Sequence, residues 1–155
     1  RSHTADGKER KMEKVYVFFA EGFEEIEGLT VVDILRRAGI ETVMVSIGND
    51  LQVTGSHGIR VEADGTFEST DFSDGTLFVL PGGMPGTTAL KEHTGLQALI
   101  REKCAEGKRI AAICAAWSWT WRRTTSALCC SAVSIRCRRA TGSAAPDMFK
   151  FVCFE

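Results

Sequence analysis

Between Lys14 and Ile47 the chain carries a strand, a helix and a second strand at a spacing that commits it to a parallel sheet. Lys14-Val15-Tyr16-Val17-Phe18-Phe19-Ala20 is a continuous apolar run bounded by charge, the pattern of a strand buried on both faces. From Glu24 to Ala38, Ile26, Leu29, Val32, Ile34 and Leu35 recur at helical spacing; acids lead the segment, Arg36-Arg37 close it and Gly39 supplies the stop. That predicts a first helix. Thr42 to Ile47 predicts the second strand, and the resulting βαβ unit places the chain in the α/β class.

The later segments extend the same plan. Leu51 to Val61 alternates on either side of a Gly-rich turn and predicts a small hairpin peripheral to the sheet. His57 at that turn reads as a solvated or hydrogen-bonded loop histidine, and His93 is read the same way. Thr76 to Leu80 predicts another buried strand, running into Pro81-Gly82-Gly83-Met84-Pro85-Gly86. Such a loop lies at the carboxyl end of the sheet, where open α/β folds bind ligands, and its glycines let backbone N–H groups approach a ligand or oxyanion. It matches neither a phosphate loop nor a dinucleotide fingerprint; by itself it suits a helix-entry turn better. Leu96 to Ala105 predicts a further amphipathic helix with Leu96, Leu99 and Ile100 inward, ended by Gly107.

The apolar run from Arg109 ends at Ile113-Cys114-Ala115-Ala116. Read as small-x-Cys-x-small, with Ala112 and Ala116 as the small residues, it is the cysteine form of a nucleophile elbow, in which strand and helix must pass closely around a strained residue. A thiol at the start of a helix is also favoured as thiolate. The same residues would suit a buried structural cysteine at the end of a core strand.

With 155 residues, 44% apolar and 25% charged, the chain is sized and composed for a single globular domain. The net charge of −1 conceals a division: residues 117–155 hold six basic residues against two acidic ones, whereas residues 1–116 hold 13 against 18. Residues 1–11 read as a disordered tag or leader, residues 12–116 as the α/β domain, and residues 117–155 as an atypical Trp/Arg/Cys-rich tail. No apolar run predicts a membrane span or a secretory signal, so a cytoplasmic protein without membrane or nucleic-acid partners is expected. Six cysteines with no C-x-x-C pair in the tail predict neither a disulfide framework nor a zinc site.

Three stretches together carry a resemblance. Glu21-Gly22-Phe23-Glu24-Glu25-Ile26-Glu27 followed by Val32 to Ile40, then Val79-Leu80-Pro81-Gly82-Gly83, then Ala111 to Ala116, resemble the ThiJ/PfpI superfamily. More narrowly, they resemble the branch of the Parkinson-linked protein deglycase and its bacterial relatives. The resemblance implies a flavodoxin-like three-layer sandwich with a mostly parallel sheet, forming a homodimer. It makes Cys114 the catalytic nucleophile and Glu27 the carboxyl that shares a proton with the thiolate. It assigns Gly82, Gly83 and Ala115 to oxyanion and substrate binding, with Glu24 lining the pocket. Read from the residues, Glu24 and Glu25 are both ordinary helix-start acids, the pocket being the alternative place for Glu24. The implied activity is a glyoxalase or deglycase acting on small reactive aldehydes or early glycation adducts, without metal or other cofactor. An oxidative-stress sensor or chaperone built on the same thiol is the alternative, as is an inactive truncated member of the family. Many bacterial members carry a label of thiazole monophosphate biosynthesis.

The resemblance ends at Ala116. In place of a Leu- and Gly-rich helix and a strand bearing a histidine come Trp117-Ser118-Trp119-Thr120-Trp121-Arg122-Arg123, and no histidine follows His93. The C-terminal part is therefore expected to be incomplete or aberrant. The favoured reading of the tail is a stretch translated out of frame, and the rival is a basic-aromatic contact surface. A class I glutamine amidotransferase shares the cysteine elbow but needs a downstream His/Glu pair that this chain lacks.

Overall fold

The computed structural model describes residues 13–116, together with the backbone of two strands at 132–134 and 151–154. The leader and the rest of the 117–155 stretch, including the Trp/Arg run, lie outside the described residues. The first strand, β1 (Lys14–Phe19), leads to α1 (Glu25–Arg37) and β2 (Glu41–Ser46). A separate hairpin of β3 (Gln52–Thr54) and β4 (Arg60–Glu62) follows, then β5 (Gly65–Thr66) and β6 (Leu77–Leu80). Two helices, α2 (Gly86–Glu92) and α3 (Thr94–Ala105), precede β7 (Arg109–Ile113) and a single 3-10 turn at Cys114–Ala116. The later strands are β8 (Ala132–Ser134) and β9 (Phe151–Phe154).

The sheet order is β5-β2-β1-β6-β7-β9-β8. Pairings among β5, β2, β1, β6 and β7 are all parallel, and β9 and β8 add an antiparallel extension on the β7 edge. This is the expected α/β, flavodoxin-like architecture. The antiparallel extension was not legible in the tail, where no strand period is written.

Alternation along β1 separates two cores. Tyr16, Phe18 and Ala20 face Leu90, Leu96 and Ile100 of α2 and α3, while Val15, Val17 and Phe19 face Val32 of α1. Both clusters are almost fully excluded from water, and burial of each large apolar side chain contributes about 1.5–3 kcal/mol. Along α1, Gly28, Val32 and Leu35 meet the sheet, and the Phe19 ring lies so close to Gly28 that a Cβ there would sit 2.7 Å from it. Ile26 and Ile34, counted in the helical period, consequently point outward at 59% and 58% exposure. Cys104 is disulfide-bonded, whereas the cysteine pattern predicts no disulfide framework. No helix among the described residues is long and apolar enough to cross a membrane.

Candidate functional site

Parallel strands all end on the same side, so the loops after β1, β6 and β7 converge there. β7 delivers Cys114 into the left-handed region at φ 51°, the one non-glycine residue with positive φ among those described. A non-glycine residue in that region stores about 1–3 kcal/mol of strain. The flanking Ala112 and Ala116 are both fully buried, while Cys114 itself is exposed. Strand and turn thus pass closely on small residues and hold the sulfur out of the core, as the elbow pattern requires.

The loop after β6 closes against the turn after β1. The Glu24 N–H donates to the Gly82 carbonyl at 2.9 Å, and Gly86 N–H donates to the Gly22 carbonyl at 3.1 Å. Gly83 takes φ 98°, and a Cβ there would meet the Phe23–Glu24 backbone. From the first turn of α1, Glu27 reaches across this junction. Its Oε2 accepts the Gly82 N–H at 2.8 Å, and its carboxyl is hydrogen-bonded to Cys114. Gly82 is the spacer between them: a Cβ on it would sit 2.5 Å from Glu27 Oε2 and 2.9 Å from Cys114 Cβ. Gly82→Ala is therefore expected to destabilise the protein by about 1–3 kcal/mol and to push the carboxyl away from sulfur. Thermal melts read the first effect, and the rate of Cys114 alkylation reads the second.

The electrostatics tie these two groups into one unit. Glu27 is 4% exposed, and burial pushes its carboxyl above the usual range against the pull of the Gly82 N–H and Cys114 hydrogen bonds. Burial, followed by the charge on Glu27, pushes the Cys114 thiol up as well, and the Ala115 N–H only partly offsets this. A buried carboxyl beside the partly desolvated sulfur of Cys114 opposes a second negative charge in the pair. The sequence expectation of a thiolate favoured by a helix start is not met at this cysteine: the turn that begins here offers one helpful amide, and desolvation and Glu27 outweigh it.

Glu24 and Glu25 stand beside this pair. Glu24 is half-buried, accepts from Ser56 Oγ at 3.3 Å, and its charge further raises both Glu27 and Cys114. Glu25 is not an ordinary helix-start acid. It is 4% exposed, wrapped by the β3–β4 turn, and accepts the His57 N–H at 2.7 Å, the His57 ring at 2.8 Å and Ser56 Oγ at 3.2 Å. Desolvation pushes this carboxyl up, but the His57 and Ser56 donors prevail and hold it at about 2. A folded-state value below the unfolded 4.5 contributes stability that is present above pH 4.5 and lost as pH falls from about 4.5 to about 2. Glu25→Gln should therefore cost on the order of 2 kcal/mol at pH 7 and flatten the acid limb of the stability curve. Urea melts between pH 2 and pH 7 measure both.

Glu24, Glu25 and His57 place ligand-type atoms within 4.8 Å of one another, but these atoms are paired among themselves in an ion-paired anchor, and we assign no metal to them. His57 is a hydrogen-bonded loop histidine, as read from the sequence. His93 caps α3, its Nδ1 accepting from Leu96 N–H at 2.9 Å, with its ring edge-on to Phe67. An open hollow of about 410 Å³ lined by Lys14, Tyr16, Asp64, Asp71 and Asp74 belongs to the Lys14 end of β1, away from Cys114.

Comparison with known proteins places the chain among relatives. The family model described as DJ-1/PfpI family matches residues 13–129, so the match continues past Ala116, at which the motif resemblance ends. DJ-1 homolog B of Arabidopsis thaliana is 35% identical over 103 residues, covering 66% of this chain and 24% of that protein. A deglycase of Thermococcus kodakarensis is 31% identical over 102 residues, 65% of this chain and 60% of that one. Among solved structures, oxidized DJ-1 of Toxoplasma gondii superposes with a TM-score of 0.69 at 35% identity, covering 73% of this chain and 61% of the other. The chain thus spans between about a quarter and three fifths of the length of these relatives.

Proposed function

The chain belongs to the DJ-1/PfpI family, and from that membership we propose that it is a cysteine-dependent glyoxalase or deglycase-like protein acting on small reactive aldehydes or early glycation adducts. The observation that carries this reading is the buried Glu27 carboxyl held between the Gly82 N–H and the exposed sulfur of Cys114. One proton shared between a nucleophile and a carboxyl is the equipment for adding to a carbonyl and then moving hydrogen on the adduct.

With methylglyoxal, the Cys114 thiolate adds to the aldehyde carbon and Glu27 gives its proton to the carbonyl oxygen, leaving a neutral hemithioacetal. Glu27, now a carboxylate, takes the C1 hydrogen as a proton, and the electron pair forms an enediolate, whose C1 hydroxyl passes its proton to the C2 oxygen. Return of that proton to C2 gives a lactoyl thioester. Water then cleaves the C–S bond to release lactate and restore the thiol. No net oxidation occurs. The Gly82 N–H is committed to Glu27 and the Ala115 N–H to the sulfur, so the developing oxyanion falls to the amide of Gly83, with Ala115 and Glu24 lining the substrate's approach. We further propose a second copy of the chain as partner, seated on the outer face of α1 where Ile26 and Ile34 are exposed.

An exposed, carboxyl-bonded thiol also favours a sensor reading, in which peroxide oxidises Cys114 to sulfenic or sulfinic acid. The test of the enzymatic reading is conversion of methylglyoxal to lactate without glutathione or added metal. Lactate formed in proportion to protein supports it, and peroxide-sensitive oxidation of Cys114 without lactate favours the sensor.

A further inference from the structure

We propose that His57 is a positioning residue for the Cys114–Glu27 pair: its imidazole holds the Glu24 and Glu25 carboxylates at the start of α1 and so sets the negative charge that Glu24 presents to the thiol. His57 Nδ1 lies 2.8 Å from Glu25 Oε2, 3.7 Å from Glu24 Oε1 and 3.1 Å from Ser56 Oγ. The turn that carries it is fixed to the site's own backbone. Gly22 N–H donates to the Thr54 carbonyl, Ser56 N–H to the Phe23 carbonyl, and Thr54 N–H to Glu21 Oε1. The charged groups around the imidazole are therefore Glu24 and Glu25 from α1, with Glu21 on the turn below.

Glu24 is the link. Its own N–H is bonded to the carbonyl of Gly82, the spacer between Glu27 and Cys114, so its charge stands next to the pair and opposes ionisation at both, and it is one of the two carboxylates that face His57. A protonated imidazole offsets Glu24, whereas a neutral side chain leaves it to act on the pair unopposed. The hydrogen bond to Glu25, then the Glu24 charge, keep His57 protonated to higher pH than a free imidazole. While His57 is protonated it thus lessens the charge that opposes the thiolate, and that opposition returns as His57 loses its proton. The ring is largely exposed, so the effect is of the size of a screened surface interaction.

The inference rests on Cys114 being the reactive thiol, and the test reads that separately from aldehyde turnover. Iodoacetamide labelling of Cys114 is followed by peptide mass spectrometry from pH 5 to pH 10. In His57→Gln, labelling at pH 7 is expected to slow roughly threefold with its midpoint moved up, and His57→Arg, with a permanent charge, is expected to restore it. The difference should shrink in 1 M salt. In a Glu24→Gln background, the His57→Gln change should have no further effect. A His57→Gln profile that overlays that of the unaltered protein overturns the inference. So does a shift that persists without Glu24, which would mark His57 as a fold anchor alone. Absence of labelling at every pH would overturn both this inference and the reading of Cys114 on which it rests.

Discussion

Cys114→Ala is expected to bring methylglyoxal consumption down to the rate without protein, while the melting temperature stays close to that of the unaltered chain. Among the described residues the sulfur is the nucleophile at the convergence of the three loops, and neither Glu27 nor a backbone amide can replace the covalent step of the proposed reaction. Stability should hold because the side chain is exposed: no core contact is lost, and alanine meets the same strain at φ 51°. Cys114→Gly should go further and relieve that strain, stabilising the fold by about 1 kcal/mol. Lactate release checks the first expectation and thermal unfolding by circular dichroism the second. Retention of more than about a tenth of the activity in Cys114→Ala would place the chemistry elsewhere, since removal of a covalent nucleophile costs many powers of ten. A variant that loses activity only together with its melt would show that the thiol is structural.

Much of the framework was legible because it depends on local period. The β1 run, the α1 repeat and the β6 run mark their elements by residue type alone, and β1 also shows in its alternation how the two cores divide. The elbow was legible too, since small residues two before and two after Cys114 have few other uses. Contacts that join distant segments were not. Glu25 and Glu27 are both acids in the first turn of α1, and nothing local distinguishes them. The β3–β4 turn returning from 55–58 buries Glu25, and the β6 loop buries Glu27. Glu27 was found by resemblance, and Glu25 was missed. α2 escaped notice because it follows a Pro/Gly-rich loop and opens with Gly86-Thr87-Thr88, weak helix formers that hold their turn through Thr87 N–H on the Gly83 carbonyl. β5 is two residues long and exists through its pairing with Val45 and Ser46. The raised thiol was hidden for the same reason: its causes are burial by segments distant in the chain and then a carboxyl 87 positions earlier.

Glu27→Gln should separate the two properties that the site combines. Glutamine keeps the shape and can keep both contacts, its carbonyl accepting from Gly82 N–H and its amide donating to sulfur. What it removes is the proton that moves and the charge that opposes the thiolate. Methylglyoxal turnover should therefore fall by ~10²–10⁴, the usual worth of a positioned acid-base group. Labelling of Cys114 at neutral pH should hold steady or quicken, because the charge on Glu27 is among the causes that push the thiol up. Glu27→Asp draws the carboxyl back by one methylene and should lose turnover comparably, since proton transfer requires contact. Equal loss of labelling and turnover in Glu27→Gln would reduce Glu27 to a prop for the Gly82 loop. Unchanged turnover would remove it from the reaction, and the hydrogen on the hemithioacetal would then need another carrier. The glutamine variant is informative because the burial that raises the Glu27 carboxyl also sets it against the sulfur: in the proposed reaction one residue both restrains the nucleophile and moves the proton, and only a side chain of the same shape without the charge distinguishes those roles.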